Sequence, residues 1–200
     1  MGVALSHRAC DDGQGAGPAL EVPHGRGWAC RVDGWAWAAA ARVQRHWPVL
    51  LALGFTLLLA APFAAPALQT AGWERPARAL YAAGRWVCHQ RPERSLYLWG
   101  FPAAVCARDT GLLLGLAGGA WLWAFAGHRR LRQALPLWGL GLAALPAAVD
   151  GGLQMLGLWE STNPLRLATG ALLGGALVWS LFPVLARGFA SPAAPKGPRA

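Results

Sequence analysis

The chain has 200 residues, a length that usually corresponds to one domain. Its hydrophobic content is 55%, only 14% of its residues are charged, and its net charge of +9 comes almost wholly from arginine, because Lys196 is the only lysine. A nucleic-acid-binding protein gathers its basic residues on one soluble face, whereas these arginines lie between long apolar runs. The distribution argues against nucleic acid as a partner and indicates a membrane protein.

The first 46 residues are predicted to form a mostly disordered N-terminal tail. Residues 1–27 show no periodicity, and residues 28–46 carry three tryptophans before a basic end. Tryptophan favours the headgroup region, so this second part is typical of an interfacial lead-in. A cleaved signal sequence places its apolar stretch within about 15–30 residues of the start. We therefore expect the first apolar run to be retained as a membrane helix.

Four apolar runs predict four transmembrane helices, because about 20 apolar residues cross a hydrocarbon layer of about 30 Å. The predicted spans are residues 47–68, 110–127, 134–155 and 165–186. The first two contain no charged residue, the third contains Asp150, and the fourth contains only Arg166. Residues 47–188 would form the membrane domain, and residues 189–200 a disordered tail.

A polar loop, residues 69–109, separates the first two spans. Residues 74–88 have a helical period that places Leu80 and Tyr81 on one face and arginines on the other. Such a helix lies flat in the membrane surface. Prolines at positions 92 and 102 would break the rest of the loop into turns. The predicted fold class is therefore all-α: a polytopic membrane protein with four transmembrane helices and one amphipathic interfacial helix.

Small residues recur four positions apart in the second and fourth spans, as Gly111 and Gly115 and again as Gly170 and Gly174. Such spacing lets two membrane helices approach closely. We expect these two helices to pack in parallel at the centre of the bundle. The alternative is that glycine is simply frequent in membrane helices.

An even number of spans places both termini on one side of the membrane. The arginines are nearly balanced between the two sides, but the cluster at residues 129–132 favours cytoplasmic termini under the positive-inside rule. The expected location is the cell membrane, as a multi-pass protein in contact with membrane lipids. The oligomeric state does not follow from the sequence.

Every unusual polar group falls on one predicted membrane face. The first loop supplies Cys88, His89, Arg91, Arg94, Cys106, Arg108 and Asp109, the end of the third span Asp150 and Gln154, and the start of the fourth Ser161, Thr162, Asn163 and Arg166. An ionisable residue at membrane depth indicates a functional site. Asp150 is the strongest case, because apolar residues flank it on both sides.

A divalent metal, with zinc the first choice, suits part of this set. Its candidate ligands are Cys88, His89, Cys106, Asp109 and Asp150, since thiolate, imidazole and carboxylate all bind zinc. Adjacent Cys88 and His89 do not easily ligate one ion, and Asp150 could replace one of them. Two alternatives stay open. The first is a disulfide between Cys88 and Cys106, which would add roughly 3 kcal/mol to the free energy of unfolding and is expected outside the cytoplasm. The second is that the two thiols stay unlinked.

An anionic ligand is the second hypothesis. Its candidate residues are Arg91, Arg94, Arg108, Arg166 and Asn163. Arginine binds phosphate in a bidentate fork, and a capped helix N-terminus attracts anions, so an anionic lipid or a small anion would fit. Ordinary headgroup contact is the alternative. The sequence contains no nucleophile elbow and no phosphate-binding loop. Two roles remain open: a metal-assisted reaction, and a purely structural or binding role.

Four motifs resemble one family. They are Cys88-His89-Gln90 with Pro92, Arg94 and Ser95; Cys106-Ala107-Arg108-Asp109-Thr110-Gly111; Asp150-Gly151 with Gln154; and Ser161-Thr162-Asn163 with Arg166, Thr169 and Gly170. Together they are similar to domain-of-unknown-function family 2085, integral membrane proteins of prokaryotes, over roughly residues 75–180. Many members have a cysteine where this chain has Asp109. The resemblance implies a membrane location and these motif positions, but no activity.

Overall fold

The computed structural model describes residues 27–126 and 133–190. The chain divides into two compact units, Met1–Arg45 and His46–Ala200. In the first unit the described part is the beginning of one helix, and the second unit contains the groups discussed below. Three predicted features lie wholly or partly outside the described residues. They are most of the N-terminal tail, the basic link at residues 129–132 and the end of the C-terminal tail.

Helices account for most of the described chain, in agreement with the predicted class. They are α1 (Gly27–Thr70), α2 (Glu74–Gly84), α3 (Ala107–Ala126), α4 (Leu137–Met155) and α5 (Asn163–Ala190). A short 3-10 turn, Pro92–Arg94, leads into an antiparallel hairpin of β1 (Ser95–Leu98) and β2 (Phe101–Cys106). The hairpin was not predicted from the sequence.

Within the described part of the chain, two helical segments are long and apolar enough to cross a membrane. They are Ala41–Thr70 within α1 and Asn163–Phe189 within α5. Helices α3 and α4 have only 20 and 19 residues, about the minimum length for a span, and α3 carries Arg108 and Asp109 in its first turn. The prediction of four transmembrane helices is therefore not confirmed. Helix α1 begins at Gly27, so residues 28–46, predicted as a lead-in, continue into the first span as one helix.

The amphipathic helix predicted over residues 74–88 is shorter than expected, because α2 ends at Gly84. A Cβ atom at Gly84 would overlap the backbone carbonyl oxygen of Ala104 in β2. Only glycine therefore lets the hairpin approach this end of α2. The chain then turns, with the N–H of Cys88 donating to the carbonyl of Gly84 (2.9 Å).

A two-residue turn, Trp99–Gly100, joins the strands of the hairpin. Both residues have positive φ, 51° and 84°, as a type I′ turn requires. Tyr97 pairs with Pro102, and after an irregularity in the ladder Ser95 pairs with Cys106. The pairing brings Cys106, at the end of β2, to the base of the hairpin.

Helices α3 and α5 contact each other along their glycines. A Cβ atom at Gly111 would overlap the carbonyl oxygen of Leu167, and one at Gly115 would overlap that of Ala171. The contact is reciprocal, with Gly170 on Arg108 and Gly174 on Leu112. Residue numbers rise together along both helices, so α3 and α5 run parallel with their backbones in contact.

The two ends of the bundle differ in chemistry. One end is aromatic: the ring of Phe182 lies 5.0 Å from Trp47 and 5.9 Å from Trp123, between centroids. Near it, the N–H of Leu135 donates to the carbonyl of Trp179 (3.4 Å) as α4 approaches α5. The opposite end contains the starts of α3 and α5 and the end of α4. The candidate polar residues of these helices therefore share one end of the bundle.

Candidate functional site

Gln90 fixes the segment that carries Cys88. Its backbone is left-handed, with φ 48°, and its side-chain Nε2 donates to the carbonyl oxygens of Tyr81 (2.7 Å) and Ala104 (2.6 Å). The hydroxyl of Tyr81 in turn donates to the carbonyl of Pro102 (2.7 Å). These bonds tie α2 to β2 and hold the buried Cys88 against the end of that strand.

Three ligand-type side chains meet where β2 becomes α3. The sulfur atoms of Cys88 and Cys106 and a carboxylate oxygen of Asp109 all lie within 4.8 Å of one another. The N–H of Cys106 donates to the sulfur of Cys88 (3.2 Å), and the sulfur of Cys106 lies 3.2 Å from Oδ2 of Asp109. Both cysteines are free thiols. We call Cys88, Cys106 and Asp109 the thiol–carboxylate triad.

The two thiols of the triad differ in acidity. A hydrogen bond with Cys106 raises the pKa of Cys88, and burial and Asp109 add to the increase. The pKa of Cys106 is lowered, because it accepts that hydrogen bond and also one from the backbone N–H of Asp109. Cys106 directly precedes α3, where the helix N-terminus also favours a thiolate. Cys106 is therefore the first of the two to ionise.

The triad has the donor chemistry of a zinc site. Zinc binds thiolate sulfur at about 2.3 Å and carboxylate oxygen at about 2.0–2.2 Å, so its tetrahedral ligand atoms stand roughly 3.5–3.8 Å apart. The triad is close to this size. His89 and Asp150, the other predicted ligands, are not in the group, because the His89 side chain is exposed and Asp150 is paired with an arginine. A zinc ion held by these three side chains would keep a fourth position for water or substrate.

That pairing belongs to a second set of polar groups, deeper in the bundle. Arg108 of α3 donates to Oδ2 of Asp150 in α4 as an ion pair. Gln154, one turn further along α4, donates to the same oxygen (3.0 Å) and to the Asp150 carbonyl (2.9 Å). Asp150 is only 6% exposed, so its charge is stabilised almost wholly by these two donors.

The network continues into α5. Arg166, only 3% exposed, donates to the side-chain oxygens of Gln154 (3.0 Å) and Asn163 (2.9 Å). The amide of Asn163 donates to the carbonyl of Ser95 in the hairpin (3.2 Å). One continuous hydrogen-bonded chain therefore joins α3, α4, α5 and β1.

Several buried atoms of this network have no hydrogen-bond partner among the described residues. They are Nε of Arg94, Arg108 and Arg166, and Oδ1 of Asp150. We call Arg94, Arg108 and Arg166 the arginine cluster. Charges on Arg94, Asp150, Arg108 and Cys106 all act on Arg166. Arg94 and Arg108 therefore lie close enough to Arg166 to repel it, and the carboxylate that pairs directly with the cluster is Asp150, through Arg108.

The remaining predicted residues lie around this cluster. Arg91 has an exposed side chain and supplies its carbonyl to Ser95 (3.1 Å) and to the N–H of Arg94 (3.0 Å). Ser161 is buried and Thr162 is exposed, and the carbonyl of Thr162 accepts the N–H of Arg166 (3.0 Å). Arg91 therefore supports the turn before the hairpin, and Thr162 supports the start of α5.

Sequence reasoning missed two residues that build the site, Gln90 and Tyr81. The position of Gln90 directly after Cys88-His89 was the available signal. For Tyr81 there was none, because its partner Pro102 belongs to a strand that the sequence did not predict.

Comparison with known proteins places these motifs in a wider group. The family model described as predicted membrane protein (DUF2085) matches residues 88–180. An uncharacterised protein of Methanocaldococcus jannaschii is 33% identical over 146 residues, which cover 70% of this chain and 94% of the relative. An uncharacterised protein of Methanothermobacter thermautotrophicus is 39% identical over 90 residues, covering 45% of this chain and 79% of the relative. No solved structure matches the chain significantly.

Proposed function

The chain belongs to the DUF2085 family of predicted membrane proteins, and from this premise we propose that it is a multi-pass protein of the prokaryotic cell membrane that binds a divalent metal ion at one membrane face. The ligands are Cys88, Cys106 and Asp109, and zinc is the ion that suits them best. The observation that carries the proposal is that their three ligand atoms lie within 4.8 Å of one another.

The electrostatics of the triad also support a cation. With both thiols ionised, the three ligands bring three negative charges together, and Cys88 resists ionisation because its pKa is raised. A divalent ion supplies the missing positive charge and deprotonates a coordinating thiol outright. A tightly bound metal that displaces the Cys88 proton would therefore stabilise the triad by balancing its negative charge.

Elemental analysis of the detergent-purified protein tests the proposal. We expect about one equivalent of zinc or another divalent metal in the wild type, and loss of that metal in a Cys88→Ser/Cys106→Ser double variant. A Cys10→Ser/Cys30→Ser variant is the matched control, because it removes the same number of thiols outside the triad. It should keep the metal.

Two results would contradict the metal proposal. Metal-free wild type, after reconstitution with zinc, would exclude the triad as a metal site. A Cys88–Cys106 disulfide in protein isolated with its thiols blocked would support a structural bridge instead.

An Asp109→Cys variant, which introduces the residue common in the family, should keep the metal, since a thiolate replaces a carboxylate as the anionic ligand.

Four spans with cytoplasmic termini complete the proposal. In this topology α3 and α4 cross the membrane as short helices beside α1 and α5, and the triad faces the extracytoplasmic side. Fluorescent-protein fusions after Ala200 and after Trp159 test it, because the fluorophore matures in the cytoplasm. The terminal fusion should be bright and the internal fusion dark. Brightness in the reverse order would invert the orientation.

A further inference from the structure

The arginine cluster has more positive charge than its described neighbours neutralise. Arg94 comes from the turn before the hairpin, Arg108 from the start of α3 and Arg166 from the start of α5. The carboxylate that directly pairs with the cluster is Asp150, which bonds Arg108. Arg166 is 3% exposed, and a buried charge is costly unless it is paired.

The unpartnered atoms define what would complete the cluster. Each arginine presents a buried Nε–H with no acceptor among the residues described. Arg94 also makes no side-chain hydrogen bond within that part of the chain, so its whole guanidinium edge is available. Donors on three arginines from different elements are best satisfied by acceptor oxygens that point in several directions. A carboxylate has two oxygens, whereas a phosphate group has three or more in a compact shape.

The net charge of the arginine cluster further limits the class of ligand. Three guanidinium groups against the one carboxylate that pairs with them directly leave an excess of two positive charges when the Cys106 thiol is protonated. A phosphate monoester carries about −1.5 to −2 at neutral pH, which matches that excess better than a diester with one negative charge. The cluster also lies at the end of the bundle where Trp73, Trp86 and Trp99 are exposed, and tryptophan favours the depth of lipid headgroups.

We propose that Arg94, Arg108 and Arg166 form a binding site for a phosphate group of the monoester class, between the hairpin and the starts of α3 and α5. The phosphate comes from a lipid headgroup or from solution, and the chemistry of recognition is the same. Arg94 binds the ligand only, whereas Arg108 and Arg166 also hold Asp150 and Gln154.

Calorimetric titration of the full-length protein in detergent tests this site. One arm uses inorganic phosphate, and the other uses phosphatidic acid in mixed micelles, with phosphatidylglycerol as the diester comparison. All samples are prepared without phosphate or sulfate. We expect saturable binding in at least one arm, with phosphatidic acid bound more tightly than phosphatidylglycerol if the source is a lipid.

Arg94→Gln should weaken that binding about tenfold or more, because it removes a charged donor without breaking a described side-chain hydrogen bond. Arg91→Gln is the matched control: it removes the same charge three residues earlier from an exposed side chain, and should leave affinity within about twofold. Arg94→Lys should be intermediate, since it keeps the charge but loses the fork.

The proposal is overturned if neither arm shows binding, or if Arg91→Gln weakens binding as much as Arg94→Gln. Binding of inorganic phosphate alone supports a soluble ligand, and binding of phosphatidic acid alone supports a lipid. Metal content should be the same in Arg94→Gln and wild type. Loss of phosphate binding with metal retained, or the reverse, therefore separates this site from the metal site.

Discussion

Arg108 and Asp150 form an ion pair across two helices, α3 and α4, inside the polar end of the bundle. The Arg108 side chain is 29% exposed and that of Asp150 only 7%. The carboxylate is thus the more deeply buried partner, and its other side-chain donor is Gln154. The pair fixes the end of α4 against the start of α3, where the arginine cluster is assembled.

Arg108→Gln should destabilise the protein by about 3 kcal/mol or more, because the Asp150 carboxylate would stay buried without its counter-charge. Adding Asp150→Asn removes that charge and should recover part of the loss. Tryptophan fluorescence during thermal unfolding in detergent measures both variants. A double variant that is less stable than the single one would show that Asp150 does not depend on Arg108.

Gly115→Ala should lower the unfolding temperature, because the new Cβ would overlap the carbonyl oxygen of Ala171 and force α3 away from α5. Gly118→Ala is the control on the same helix, since no atom lies within 4 Å of its Cβ position. It should leave stability unchanged or raise it by about 0.5–1 kcal/mol, as expected for glycine replaced by alanine in a helix. Equal effects at the two positions would contradict the close contact.

Gln90→Ala should destabilise the segment around Cys88, because two carbonyl oxygens, of Tyr81 and Ala104, lose their amide donor. The expected loss is about 1–3 kcal/mol. His89→Ala, next to it in the sequence but exposed, should leave the unfolding temperature unchanged. Faster proteolysis between α2 and the hairpin in Gln90→Ala alone would locate the effect. Equal proteolysis in both variants would assign no clamping role to Gln90.

Cys106 should be alkylated at lower pH than Cys88 in metal-free protein. Only a thiolate reacts, and its fraction rises as pH passes the pKa. The lowered pKa of Cys106 moves its reaction below the usual range for a thiol, about 8.5, and the raised pKa of Cys88 moves it above. Mass spectrometry after iodoacetamide at a series of pH values measures both.

A Cys106→Ala variant separates acidity from access in that experiment. Without the Cys106 sulfur, Cys88 loses the hydrogen bond that contributes most to its raised pKa. Cys88 should then react at lower pH, although its burial is unchanged. An unaltered profile for Cys88 would mean that burial alone protects it.

The sequence carries clear information about the helices and little about what lies between them. Apolar runs and glycine spacing depend on helical periodicity, so they place Gly111 and Gly170 at positions that the structure has at the α3–α5 contact. The hairpin was missed because Pro92 and Pro102 suggested turns, whereas the turn is Trp99–Gly100 and Pro102 lies in a strand. A two-stranded sheet tolerates that proline, since one side of each strand has no partner.

The sequence indicated which residues could belong to the site, but not how they divide between the thiol–carboxylate triad and the arginine cluster. Nearness in sequence grouped Cys88 with His89, but a left-handed Gln90 and a buried Cys88 leave His89 exposed. Asp150 was a reasonable metal ligand by chemistry, yet the structure pairs it with Arg108. The partner of Asp150 depends on how α3 packs against α4, and no local sequence pattern specifies that packing.

The hairpin has a consequence for the order of synthesis. It brings Cys88 to Cys106, and Asp109 follows within one helical turn, so the whole thiol–carboxylate triad lies within residues 88–109. The arginine cluster instead needs Arg166, which the ribosome adds only after α4 is complete. Because the chain is synthesised from its N-terminus, a nascent chain that ends after α3 already holds every side chain of the triad. Capture of the proposed metal could therefore precede insertion of the last helix, whereas the arginine cluster exists only in the finished bundle.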